Sequence, residues 1–112
     1  MICVTVFVDS KHHYQGIHLL GHAGSVEDYK EGQELVCAAV SALTLNMANS
    51  VEQFTEDSFE AEEGEDEGEF SFRFTSEVSS ESRLLMNALV FGLQNKEEDY
   101  GEPYIKIRFK EV

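Results

Sequence analysis

The sequence predicts an α+β fold, a two-layer β-β-α-β-β-α-β sandwich of about five strands with both helices packed on the sheet. Three observations carry this expectation. Five segments of the 112-residue chain are continuously β-branched and aromatic or alternate at period two. Two longer segments with helical spacing of apolar residues follow the second and the fourth of them. With 42% hydrophobic residues the chain can fill one core, and at this length a domain buries well over half of its unfolded surface. A single domain over residues 1–112 is expected.

Ile2 to Val8 has almost no polar interruption and reads as a strand buried on both faces, with Cys3 as a small core hydrophobe. The polar Asp9-Ser10-Lys11-His12-His13 is a hairpin turn. A second strand runs from Tyr14 to His22 through Ile17, Leu19 and Leu20. Gly21 and Gly24 flank His22 and Ala23, which suggests unusual backbone torsions there. Ser25 to Gly32 is a polar loop. From Gln33 to about Val51 the pattern is helical, and Leu35 to Leu43 is apolar nearly all round, so this helix is expected to be largely buried.

A third strand is expected from about Ser58 to Glu62. The acidic stretch Glu62 to Glu69 then turns the chain on its glycines, and Phe70-Ser71-Phe72-Arg73-Phe74 alternates as a half-buried strand. Ser79 or Ser80 caps the second helix, with Glu81 against its positive end. Leu85, Ala88, Leu89 and Gly92 form its expected apolar stripe, widened by Leu84, Phe91 and Leu93. Tyr100 to Pro103 breaks the chain, and Tyr104 to Phe109 alternates as the closing strand.

Charge excludes some functions. With 22 acidic and 8 basic residues the net charge is −14, which repels phosphate backbones and disfavours direct nucleic-acid binding. A basic protein or peptide is the partner such a surface attracts. No apolar run is expected to approach the roughly 20 residues of a membrane span, and the N-terminus lacks the basic region of a secretory signal. A cytoplasmic protein without a membrane partner is expected. The two cysteines, Cys3 and Cys37, belong to no Cys-x-x-Cys pair and are expected to be thiols.

The candidates for chemistry are Cys37, four histidines and many acids. Cys37 stands near the start of a helix, where the positive end favours a thiolate. His22 stands at a strand end beside the loop that leads into that helix. A strand-loop-helix connection can bring its two ends together, which gives a nucleophile with an adjacent base. Spacing alone also allows plainer readings, with Cys37 as a packing residue and His22 as a turn residue. Glu34, three residues before Cys37, could orient His22 or serve only as a first-turn acid. Ser41, one helical turn beyond Cys37, could hydrogen-bond in the site. The histidines show no recognised metal-ligand spacing, so no metal and no cofactor is expected. The chain contains neither Gly-x-Ser-x-Gly nor a phosphate-binding loop.

Two segments together, Gly21-His22-Ala23 at a strand end and Leu35-Val36-Cys37-Ala38-Ala39-Val40-Ser41-Ala42-Leu43 on a helix, closely resemble the ribosomal-processing cysteine protease family called Prp. Length, element order and acidity fit the same family. The resemblance implies that Cys37 is the nucleophile and His22 its activating base. It implies an endopeptidase that removes the N-terminal extension of a large-subunit ribosomal protein during ribosome maturation. It also implies a homodimer whose partner is the N-terminal segment of a basic ribosomal protein. Gly21, Ala23, Gly24 and Ser41 are the expected substrate-binding residues, and the loop from Ala23 to Gly32 is expected to be mobile and to cover substrate. The alternative on the same fold is a non-catalytic ribosome-assembly or protein-binding module.

Overall fold

Five strands and two helices follow in the expected order: β1 (Ile2–Val8), β2 (Tyr14–Leu20), α1 (Gln33–Phe54), β3 (Phe59–Glu63), β4 (Phe70–Phe74), α2 (Ser80–Tyr100) and β5 (Ile105–Glu111). The structure is a computed structural model and describes residues 1–21, 33–65, 68–101 and 104–112, with the side chains of Gln33 and Glu34 also outside the description.

The strands form one sheet in the order β3-β4-β2-β1-β5. All neighbours are antiparallel except β1 and β5, which run parallel. The β1–β2 turn is built by Asp9, whose Oδ1 accepts from the backbone N–H groups of Lys11 (2.8 Å) and His13 (2.9 Å). These bonds to the ionised form, that from His13 foremost, hold the Asp9 carboxyl below its ordinary value.

Register decides which side chains meet. Val4 stands opposite Leu19, Val6 opposite Ile17, and Ile17 opposite Phe72. Ile2 lies beside Ile105. These residues share one sheet face and are buried under Val36, Val40, Met47 and Val51 of α1 and Met86, Leu89, Val90 and Leu93 of α2. Phe72 anchors the β3–β4 side, with its ring 4.8 Å from Phe59 and edge-on to Phe74 at 5.0 Å.

Three expectations need correction. Cys3 is exposed and β1 is not buried on both faces. Period two sends Ile2, Val4 and Val6 towards the helices and Cys3 to the other side, which no helix covers at that point. Thr5, on the same open side, stays buried, and its Oγ1 accepts from Arg108 Nε (3.0 Å).

The second correction concerns α2. Its buried residues are Ser82, Met86, Leu89, Val90 and Leu93, whereas Leu84, Ala88 and Phe91 are exposed. Apolar residues lie all round this helix, so composition leaves its rotation open. Packing selects the side where Met86 and Val90 extend Leu89 and Leu93 into a continuous stripe.

The third concerns apolar length. The stretch Leu35–Phe54 of α1 is long and apolar enough, by length and composition, to cross a membrane. Leucine, valine and alanine keep its mean hydropathy high although Ser41, Thr44, Asn46 and Asn49 interrupt the run. In the fold only one side of this helix faces the sheet, through Val36, Val40, Met47 and Val51, while Leu35, Leu45 and Phe54 are exposed, so α1 is not largely buried as expected: a single sheet covers one face of a helix that is apolar nearly all round.

Candidate active site

β2 ends at Leu20, and Gly21 then turns the chain with φ +97°. A Cβ at Gly21 would sit 2.5 Å from the carbonyl oxygen of Met1. Positive φ and close backbone approach both require glycine here, as the pair of glycines around His22 suggests. His22, Ala23 and Gly24, and the expected loop to Gly32, lie outside the described residues.

Cys37 is the fifth residue of α1. Side chains on a helix lean towards its N-terminus, so the thiol lies over the first turn, whose N–H groups have no carbonyl partner within the helix. Cys37 is partly buried and packs against the core. It lines a cavity of about 230 Å³ together with Ile2, Leu19, Gly21, Ser41 and Gly68. The residue immediately before His22 therefore faces the same space as Cys37, although 15 positions separate His22 from Cys37 in the chain.

A groove of about 460 Å³ lies next to that cavity along α1. Leu19, Ser41 and Gly68 line both spaces, which adjoin as a channel with shared walls. Its far part is lined by Thr44 and Leu45 of α1, by Phe70, and by Glu63 and Glu65 from the acidic hairpin. Described residues of the acidic turn thus form one wall of the channel. Gly68 has φ +77°, and its place among acids was the only sequence signal for this wall. Leu19, Leu45 and Glu63 gave none, since their convergence depends on β4 lying beside β2.

Of the expected site residues, Cys37, Gly21 and Ser41 come together. Glu34 lies in the first turn of α1, and its side chain is outside the description. His18 points to the open sheet face, where its Nε2 is 3.4 Å from the Glu69 carboxylate. His13 stays in the β1–β2 turn beside Asp9. Among the described residues no three metal-ligating side chains converge. Cys3, the third residue of the chain and on the open sheet face, does not line the channel.

The family described as cysteine protease Prp matches residues 1–106 by its sequence model. The chain belongs to the Prp family. It is a cysteine protease, as the members it resembles are. The ribosomal processing cysteine protease Prp of Staphylococcus aureus is 27% identical over 111 residues, covering 98% of this chain and 100% of that protein. Its namesake from Bacillus subtilis is 33% identical over 97 residues, covering 80% of this chain and 84% of that protein. The fold agrees equally well. The S. aureus Prp structure with a covalently linked product peptide superposes with a TM-score of 0.85 at 25% identity, covering 98% of this chain and all of that one. A Streptococcus mutans structure gives 0.81 at 26% identity, covering 100% and 96%. Membership in the Prp family sets aside a purely non-catalytic binding module.

Proposed function

We propose that this protein removes the N-terminal extension of a large-subunit ribosomal protein, with Cys37 as nucleophile and His22 as general base. The observation that carries the reading is that Gly21, the residue before His22, lines the same cavity as Cys37. The covalently linked product peptide in the S. aureus relative supports a covalent route.

His22 takes the thiol proton, and Cys37 Sγ attacks the scissile carbonyl carbon. The resulting oxyanion needs N–H donors, and the first turn of α1 holds N–H groups not used by the helix. The tetrahedral species collapses with cleavage of the C–N bond, and His22 gives its proton to the leaving amine. A thioester remains on Cys37. His22 then deprotonates water, which attacks the thioester and releases the new carboxylate with return of the proton to the thiol. Ser41 and Gly21 line the cavity beside this chemistry, and the reading keeps them, with Ala23 and Gly24, as substrate-binding residues. The strongly acidic surface speeds encounter with a basic ribosomal protein. The reading includes a cytoplasmic homodimer that acts before or during ribosome assembly, without direct nucleic-acid contact.

The test is direct. Incubation with N-terminally extended large-subunit ribosomal proteins should yield one shortened product with the wild type. Cys37→Ala and His22→Ala should each lower the rate by at least about a thousandfold. Cleavage that survives Cys37→Ala would refute the assignment.

A further inference from the structure

The channel beyond Ser41 has a mixed lining that the cleavage chemistry does not use. Its floor is apolar, from Leu19, Leu45 and the half-buried Phe70. Its rim carries the exposed carboxylates of Glu63 and Glu65. Glu63 pairs with Phe70 across the β3–β4 ladder, and Phe70 pairs with Leu19 across β4–β2, so all three share the sheet face that α1 covers. The neighbouring Glu69 differs, because its carboxylate is met by His18 Nε2 at 3.4 Å. Among the described residues no cation pairs with Glu63 or Glu65, and the ion pairs of this region are Glu60 with Arg73 and Glu69 with His18.

An apolar floor under an acidic rim suits one kind of side chain, a long aliphatic stem with a cationic tip. Position along the peptide follows from helix geometry. Leu45 lies eight residues beyond Cys37, about 12 Å along the axis. That distance equals about three to four residues of extended peptide. We propose that this groove binds a lysine or arginine of the peptide being cleaved, three or four residues from the scissile bond, with its stem on Leu19, Leu45 and Phe70 and its tip between Glu63 and Glu65. The inference rests on the proposed role of Cys37 and adds a local specificity determinant, distinct from the general attraction of a protein carrying −14 charges.

Positional sets of internally quenched peptides test it. Each set keeps one cleavable sequence and places Lys, Arg, Ala or Glu at one position at a time, on both sides of the scissile bond. The wild type should prefer Lys or Arg over Ala by about three- to tenfold in kcat/KM at a position three or four residues away, the size expected of two solvent-accessible ion pairs. The Glu63→Gln/Glu65→Gln protein should lose that preference at that position while keeping its other preferences. The Glu63→Lys/Glu65→Lys protein should favour Glu there, a gain that mere destabilisation would not produce. The preference should fade as salt rises. A wild type that cleaves the set with no cationic preference at any single position overturns the inference alone. So does a preference that falls equally at every position in the Gln variant, since that pattern belongs to net charge. If no peptide is cut, or if cutting persists in Cys37→Ala, the proposed function fails and the inference with it.

Discussion

Replacing Gly21 with alanine adds one methyl group at the point where β2 hands over to the segment that bears His22. Two costs follow from the geometry. At φ +97° an L-residue is strained by about 1–2 kcal/mol. The added Cβ would meet the Met1 carbonyl oxygen at 2.5 Å, so the start of β1 or the Gly21 backbone must give way by most of an ångström, an overpacking cost of about 1–3 kcal/mol. Gly21→Ala should therefore destabilise the fold by about 2–5 kcal/mol in equilibrium urea denaturation. The same displacement moves the residue that precedes His22, and a misplacement near 1 Å costs about a hundredfold in rate. Activity per folded molecule should fall accordingly, chiefly through kcat. Gly16→Ala is the control. Its Cβ would meet the Phe72 carbonyl oxygen at 2.5 Å, but Gly16 lies mid-strand between Phe7 and Arg73, away from the channel. It should destabilise the fold while activity per folded molecule stays near that of the wild type. A Gly21→Ala protein of wild-type stability, or one whose kcat falls no more than that of Gly16→Ala, would refute the reasoning.

Other consequences can be checked on the same protein. Met86→Ala, at a fully buried position of α2, should cost about 2–5 kcal/mol in denaturant titration, whereas Leu84→Ala, at a residue 69% exposed, should change stability by less than about 0.5 kcal/mol. Asp57 accepts from the Ser79 hydroxyl (2.6 Å) and N–H (3.0 Å) at the start of α2. Those bonds, the side-chain bond to Ser79 foremost, hold its carboxyl below the ordinary 3.8. Because the folded value is the lower one, the contribution is present above pH 3.8 and is lost as pH falls through the folded value. Asp57→Ala should therefore cost about 1–2 kcal/mol at neutral pH, and its difference from the wild type should shrink in acid below that point. Denaturation curves from pH 7 to pH 2 for both proteins read this directly.

Much of the fold was legible because local periodicity carries it. The alternation of Phe70, Phe72 and Phe74 gave β4 its bounds and its inner face, and Ser79 gave α2 its cap. Strand ends were less certain. The second strand stops at Leu20, two residues short of the expected His22, because Gly21 leaves the extended region. The first helix runs three residues past Val51 to Phe54, since nothing in Glu52-Gln53-Phe54 breaks a helix. The chemical role of Cys37 was readable only in combination, because a cysteine among valines and alanines carries no mark of reactivity by itself.

The sequence by itself determined the element order, the position of Cys37 at the start of α1 and the match to the Prp family. These depend on residue types and on spacings of a few residues. Only the tertiary structure decided which side of α2 is buried, that Cys3 faces outward, and that β4 lies beside β2. The last arrangement matters most for function, since it brings Glu63, Phe70 and Gly68 alongside a helix some 30 residues earlier in the chain. The physical reason is that apolar patterns state how much surface must be buried, while the partner surface and the register determine which residues share a face.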